Sequence, residues 1–122
     1  MEQDREQGRE PDRARAFVRA RLLVPERVAL GDVITVRLLI QHGMETGYRQ
    51  DINGRVVARN VIRLVRCEFG GVEVFRTEPS SGISANPYFE FPVRVTQAGA
   101  WLVQWEDDAG VKGELRQAMP LA

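Results

Sequence analysis

The chain has 122 residues, of which 43% are hydrophobic and 28% are charged. This length favours one domain, and the composition is that of an ordinary globular protein, which excludes a wholly disordered chain. Basic and acidic residues balance at 17 each, so net charge gives no reason to expect a nucleic-acid or anionic-membrane partner. No apolar run in the sequence is long enough to span a bilayer.

The N-terminal segment is polar, densely charged and free of the apolar stretch that a secretion signal contains. Because such a segment cannot bury apolar area, we expect residues 1–15 to form a disordered tail and residues 16–122 to form the folded domain. We also expect the chain to carry no export signal of its own.

From residue 16 onward, apolar and polar residues alternate with a period of two, which is typical of strands that bury one face. The predicted strands cover residues 16–24, 33–41, 60–69, 72–77, 88–95, 101–105 and 111–118. Further short strands are expected on either side of residues 53–54. No segment has a convincing helical period, although the polar loop 42–50 has room for one helical turn.

Turn-forming residues separate the predicted strands. Asn53-Gly54 is the strongest hairpin signal and predicts a type I′ turn, because both residues tolerate a positive φ. Gly70-Gly71 and the segment 108–110 predict two more hairpins. Strands follow one another without βαβ alternation, so the sequence predicts an all-β fold, an immunoglobulin-like antiparallel β-sandwich of about seven strands.

Side chains that could support catalysis are scarce. The chain has one histidine and one cysteine, whereas a metal site needs three or four ligands. The sequence also contains none of the common nucleophile, phosphate-binding or metal-binding motifs. We therefore predict no catalytic residue, metal or cofactor, and we expect the chain not to be an enzyme.

Two alternatives stay open. Cys67 could act as a stand-alone sulfur carrier if it were exposed beside a positive charge, but it shares its strand face with Val65, which predicts a buried thiol. His42 and Met44 stand two residues apart in a loop, and together with Met119 they could form a copper-binding module, because copper accepts histidine and methionine ligands.

The two most distinctive loops resemble those of a known family. Residues 42–47 read HGMETG and, with Arg49, are similar to the H-P-M-E-T-G-x-R signature of the SoxZ family. Residues 84–88 read SANPY, which is that family's S-A-N-P-Y segment. Gly43 stands where the family usually has proline, and this loosens the first loop.

Two further segments extend the resemblance. Residues 67–75 read CEFGGVEVF, similar to the C-x-F-[NG]-G-x-E-V-F stretch of SoxZ proteins, and residues 105–110 are similar to their W-x-D-D-x-G hairpin. The order and spacing of all four segments agree, and the resemblance covers residues 22–115.

The resemblance implies a role. SoxZ proteins pair with SoxY, which carries the sulfur substrate on a cysteine at the end of a flexible C-terminal arm, and the pair passes intermediates of thiosulfate oxidation between Sox enzymes. SoxZ itself brings no carrier cysteine, and this chain ends in MPLA. The resemblance therefore implies a non-catalytic subunit of a periplasmic SoxYZ carrier complex, a heterodimer with a SoxY-like protein that docks Sox enzymes transiently and is exported with the signal-bearing partner.

The two signature loops supply the predicted partner-binding residues. From residue type we expect apolar contacts from Met44 and Tyr48, charged contacts from Glu45 and Arg49, and hydrogen bonds from Asn86. The full set of candidates is His42, Met44, Glu45, Thr46, Gly47, Tyr48, Arg49, Ser84, Ala85, Asn86, Pro87 and Tyr88.

Overall fold

The computed structural model describes residues 20–80, 82–119 and 121. These residues form seven strands, and none of them belongs to a helix long and apolar enough to cross a membrane. The predicted tail, residues 1–15, and the first part of the predicted first strand, residues 16–19, lie outside the described residues. The boundary between tail and domain therefore stays a prediction.

The strands form two antiparallel sheets. The strands are β1 (Ala20–Leu23), β2 (Val33–Ile40), β3 (Ile62–Phe69), β4 (Val72–Thr77), β5 (Tyr88–Arg94), β6 (Gly99–Asp107) and β7 (Lys112–Met119). One sheet has the order β1-β2-β5 and the other β4-β3-β6-β7, so β2 and β5 are neighbours although two strands separate them in the chain. This arrangement confirms the predicted immunoglobulin-like sandwich.

The period-two pattern places one face of each strand in the core between the sheets. In β2, the side chains at positions 34, 36, 38 and 40 are buried, and those between them are exposed. The same alternation in β6 buries Trp101, Val103 and Trp105. Fully burying each of these large apolar side chains stabilises the fold by about 1.5–3 kcal/mol.

Aromatic side chains join the two sheets. The ring of Phe75 on β4 stacks on the ring of Phe91 on β5, with centroids 4.2 Å apart and planes 4° apart. Within the four-stranded sheet, Phe69 and Trp101 pack at 4.4 Å. Such pairs add about 0.5–1.5 kcal/mol beyond the area that they bury. The core is thus held by packing, and the one cysteine contributes to it as a buried apolar side chain.

The segment between β2 and β3 differs from its prediction. A type I′ turn requires positive φ at two residues, but Gly54 has φ 78° and Asn53 does not have a positive φ. The reason is Asp51, whose Oδ1 accepts hydrogen bonds from the backbone N–H groups of Asn53 and Arg55 at 2.8 and 3.0 Å. Instead of two short strands, a single bridge between Gln50 and Val56 flanks the turn, and residues 42–50 contain no helical turn.

Gly113 lies directly opposite Trp105 in the ladder between β6 and β7. A methyl group at position 113 would lie 2.1 Å from the ring carbons Cε2 and Cζ2 of Trp105. The indole therefore occupies the space that any side chain at position 113 would need. This explains a glycine inside a strand, where glycine is otherwise unfavourable.

We expect Gly113→Ala to lower the free energy of unfolding by about 1–3 kcal/mol, because the indole must move within a packed core. Urea unfolding of the purified variant measures this. Gly43→Ala is the matched control, since nothing beyond its chain neighbours lies within 4 Å of the added methyl group. A Gly113→Ala protein as stable as the control would show that the Trp105 ring is not confined.

Candidate functional site

The two signature loops meet at one end of the sandwich, where β2 ends and β5 begins. The His42 N–H donates to Asn86 Oδ1 at 3.0 Å, and the Asn86 N–H donates to the His42 carbonyl oxygen at 2.8 Å. The Ile40 N–H donates to the carbonyl oxygen of Pro87 at 3.1 Å. Residues 44 positions apart in the sequence are thereby joined into one surface.

The imidazole of His42 is held at both nitrogens. Its Nδ1 accepts a hydrogen bond from the Met44 N–H at 2.9 Å, and its Nε2 lies 3.0 Å from Asp107 Oδ2. Because a backbone N–H can only donate, Nδ1 must carry a lone pair, and the ring proton must reside on Nε2. This assigns a neutral ring that donates to the carboxylate, and it fixes the orientation of the ring within the loop.

Asp107, the last residue of β6, is a buried carboxylate with several donors. Its Oδ1 accepts the Val111 N–H at 2.9 Å, while Oδ2 faces His42. Burial alone raises the pKa of Asp107, but the hydrogen bonds from His42, from the Val111 backbone and from the side chain of Asn60 outweigh burial and hold the pKa below its usual range. Asp107 is therefore an ionised anchor for the loop.

Met44 adopts a left-handed backbone conformation, with φ 53°. This conformation costs a non-glycine residue about 1–2 kcal/mol. Its side chain is only 5% exposed, and its Sδ accepts the N–H of Ile62 at 3.3 Å. Met44 thus packs beneath the loop, and only a small part of its surface is exposed for the apolar partner contact that its residue type suggested.

The tip of the β6–β7 hairpin fastens the far end of the same loop. The Asp108 N–H donates to the Val61 carbonyl oxygen at 3.0 Å, and Asp108 Oδ2 accepts the Val61 N–H at 3.2 Å. The Ala109 N–H donates to Asn60 Oδ1 at 3.2 Å. The hairpin predicted at residues 108–110 did not include this anchoring role. The signal that could have found it was the place of Asp107 and Asp108 in the family-like W-x-D-D-x-G segment.

The predicted partner-binding residues divide by exposure. Met44 and Pro87 are buried, whereas Tyr48 is 87% exposed. Arg49 donates two hydrogen bonds to the carboxylate of Glu45, each 3.0 Å long. The partly exposed candidates are His42, Glu45, Thr46 and Gly47, and the exposed ones are Tyr48, Arg49, Ser84, Ala85, Asn86 and Tyr88.

A concavity of about 300 Å³ opens beside the His42–Asp107 contact. Met44, Trp105 and Val111 line it together with that pair. Apolar surface dominates its lining, and the polar side chains that line it are Gln41, His42, Glu45, Asn60 and Asp107. This arrangement suits the seating of a partner's side chain better than proton transfer, because neither His42 nitrogen is free to exchange a proton with a ligand.

The structure argues against Cys67 as a sulfur carrier. The side chain is fully buried, in agreement with the sequence prediction. Burial, and secondarily the Glu68 carboxylate, raise the pKa of the thiol to about 12, although Arg66 acts in the opposite direction. A reactive thiolate needs exposure and a lowered pKa, and Cys67 has neither.

The geometry also argues against the copper alternative. Both His42 nitrogens and the Met44 sulfur already take part in hydrogen bonds. Met119 pairs with Gly99 at the opposite end of β6 from Asp107, about 26 Å away at about 3.3 Å per residue. Among residues 20–80, 82–119 and 121, no group of three His, Cys, Asp or Glu side chains could hold a metal ion.

The two hydrogen bonds of His42 can be separated by substitution. His42→Asn keeps an acceptor near Nδ1 but loses the bond to Asp107, and His42→Gln keeps a donor near Nε2 but loses the Met44 bond. We expect losses of about 1.5–3 kcal/mol for His42→Asn and about 0.5–1.5 kcal/mol for His42→Gln, since bonds to charged groups are stronger. Urea unfolding near neutral pH tests this order, with Tyr48→Ala as the exposed control in the same loop. Two equal losses would contradict the greater strength of the bond to the Asp107 carboxylate.

The lowered pKa of Asp107 predicts a pH dependence. The ionised carboxylate stabilises the fold above the ordinary aspartate pKa of about 3.9, and this contribution is lost as the pH falls through the lower folded-state value. Asp107→Asn should therefore be less stable than the wild type at neutral pH, with a difference that shrinks as the pH falls below about 3.9. Urea unfolding across this range measures it, and Glu26→Gln, an exposed acid, is the control. A difference that is constant with pH would contradict the prediction.

Solved structures share the fold. A superoxide reductase (neelaredoxin) variant from Ignicoccus hospitalis matches with a TM-score of 0.69 and 18% identity, over 90% of this chain and 85% of that chain. A superoxide reductase (neelaredoxin) variant from Archaeoglobus fulgidus matches with a TM-score of 0.59 and 16% identity, over 94% of this chain and 98% of that chain. At such identities the likeness concerns the fold alone. No curated protein sequence matches the chain.

The family comparison agrees with the loops described above. The family model described as "Sulphur oxidation protein SoxZ" matches residues 5–117. The match includes both signature loops, the Cys67 strand and the acidic hairpin that anchors the His42 ring. This chain therefore belongs to the SoxZ family of sulphur oxidation proteins.

Proposed function

We propose that this chain is the non-catalytic subunit of a SoxYZ-type sulfur-carrier complex. It binds a SoxY-like subunit and helps present that subunit's sulfur-loaded cysteine arm to Sox enzymes, which dock transiently. Membership of the SoxZ family supports a place in the Sox sulfur-oxidation system. The pairing with a SoxY-like subunit and the role in the carrier complex go beyond family membership and are our proposal.

The observation that carries the proposal is the locked arrangement of the two signature loops. His42 and Asn86 exchange two hydrogen bonds, and Asp107 fixes the His42 ring from the other sheet. Tyr48 and Arg49 stay exposed on this fixed base. A surface that is ordered before binding loses less conformational entropy when a partner docks, which favours its use as an interface.

The chemistry of the described residues supports a scaffold. The thiol of Cys67 is buried, with a pKa raised to about 12, so it is poorly suited to accept or donate sulfur. The His42–Asp107 pair resembles a catalytic dyad in composition, but its outer nitrogen is occupied by the Met44 N–H. In the proposed complex, the sulfur chemistry therefore takes place on the cysteine of the SoxY-like subunit.

The proposed place of action is the periplasm. Because the chain belongs to the SoxZ family, whose members pair with SoxY, we propose that it is exported together with a signal-bearing SoxY-like partner. Pairing before export requires that the heterodimer form in the cytoplasm, and co-expression in that compartment is a direct way to examine the pairing.

We expect the tagged chain, co-expressed with the SoxY-like protein from the same source, to elute from size exclusion as a heterodimer, with both masses in one peak. Cys67 should resist alkylation in the native complex and react once the chain is unfolded in urea, because burial protects it. A chain that stays alone while its folded Cys67 reacts readily would contradict the scaffold role and favour sulfur transfer by Cys67.

A further inference from the structure

The outward side of the three-stranded sheet has an apolar centre. Leu39 of β2 lies in register between Arg21 of β1 and Tyr88 of β5. Leu39 is 36% exposed and Tyr88 is 50% exposed. On the next row, Leu23 is 39% exposed and pairs with Arg37. Large apolar side chains that are exposed on adjacent strands form a continuous patch, which is the usual mark of a surface that becomes covered. We name this side of the sheet, formed by the outward side chains of β1, β2 and β5, the outer β1–β2–β5 face.

Positive charge surrounds this patch without a matching number of carboxylates. The outward side chains of β1, β2 and β5 include three arginines, Arg21, Arg37 and Arg94, but one acid, Glu90. Glu90 lies 3.8 Å from Arg37 and already accepts the Tyr88 hydroxyl at 2.7 Å. A weak ion pair thus leaves most of the positive charge on this face unbalanced.

The other two arginines are even less compensated. Arg94 donates to the carbonyl oxygen of Gly31 at 2.9 Å and pairs with no carboxylate among residues 20–80, 82–119 and 121. Arg21 makes no ion pair within the same described part of the chain. Guanidinium groups that have no carboxylate partner among the described residues and lie beside an apolar patch suit bidentate contact with carboxylates of another protein.

The outward side of the four-stranded sheet provides an internal contrast. There, Glu73 binds both Arg66 and Arg76, at 3.1 and 3.0 Å, and Arg116 binds Glu114 at 2.9 Å. Its arginines are neutralised by acids of the same sheet. The two outward faces therefore differ in kind: one is internally balanced, and the other carries surplus positive charge around exposed leucines.

The outer β1–β2–β5 face is continuous with the signature loops. A concavity of about 360 Å³ runs from Asn86 to Arg21 and Leu39. Tyr88 belongs to both regions, because it ends the SANPY segment and begins β5. A partner seated on this face would therefore also reach the loop end of the sandwich.

We propose that the outer β1–β2–β5 face docks the SoxY-like subunit through a surface with an apolar centre flanked by carboxylates. The proposal rests on the proposed function and adds where, and by which chemistry, the pairing occurs. Leu39 and Tyr88 supply apolar contact, and Arg21, Arg37 and Arg94 meet the partner's acids. Attraction between opposite charges makes the affinity dependent on salt.

The test uses purified full-length chain and SoxY-like subunit, with Kd measured by titration calorimetry at low and high salt. We expect Arg37→Glu and, separately, Leu39→Glu to weaken binding by about tenfold or more, because Arg37→Glu places a like charge against the partner's carboxylates and Leu39→Glu places a charge in the apolar centre. Arg37→Glu should also flatten the salt dependence. Arg116→Glu is the matched control on the opposite sheet and should stay within about twofold of the wild type. Thermal unfolding verifies that each variant is folded.

The outcomes separate this inference from the proposed function. If the wild type binds and both Arg37→Glu and Leu39→Glu bind as tightly as the wild type, the proposed docking face is wrong, but the proposed heterodimer is supported. If the wild type does not bind the SoxY-like subunit, the proposed function and this inference both fail. The wild-type chain could also self-associate in the absence of a partner. If it does and the Arg37→Glu variant is monomeric, the face binds a second copy of the chain and the proposal is overturned.

Discussion

The contact between His42 and Asp107 is the interaction on which the loop end of the molecule depends. It joins a loop that follows β2, in one sheet, to the last residue of β6, in the other, across 65 positions of sequence. A carboxylate that is this buried would be unfavourable without donors, and three groups donate to it. The ring in turn accepts the Met44 N–H. The side chain of His42 therefore connects the loop that follows β2 to the last residue of β6.

Two strained residues show how firmly this end is held. Met44 and Asn86 have φ values of 53° and 54°, and they are the described non-glycine residues with positive φ. Asparagine tolerates this conformation, but methionine rarely adopts it, and it costs about 1–2 kcal/mol. Around Met44, the bond to His42 Nδ1 and the burial of the thioether offset that cost. Strain of this kind persists where the surrounding contacts over-determine the backbone, and such places cluster at functional sites.

The strands were predictable because their signal is local. A period of two in β2 or β6 requires only that neighbouring side chains be compared, and turn residues mark where each strand stops.

The site was less predictable, because the partner of His42 depends on how far β6 extends and on which residue of the hairpin faces the loop. The type I′ turn predicted at Asn53-Gly54 was wrong for a related reason, since the hydrogen bond from the Asn53 N–H to the side chain of Asp51 overrode the preference of the Asn-Gly pair. Residue type alone also suggested surface contact for Met44, whose burial follows from the loop path.

Overall neutrality conceals an uneven distribution of charge. In the four-stranded sheet, acids and arginines neutralise one another, as Glu114 does for Arg116, and such a face offers little electrostatic attraction to a partner. In the three-stranded sheet, the surplus of arginine stands beside exposed Leu39 and Tyr88. Apolar area supplies affinity, whereas unbalanced charge steers orientation and partner choice. In the proposed complex, this asymmetry between a neutralised side and a charged side with exposed apolar residues holds the SoxY-like partner in a defined orientation and leaves other surface free for transient contacts.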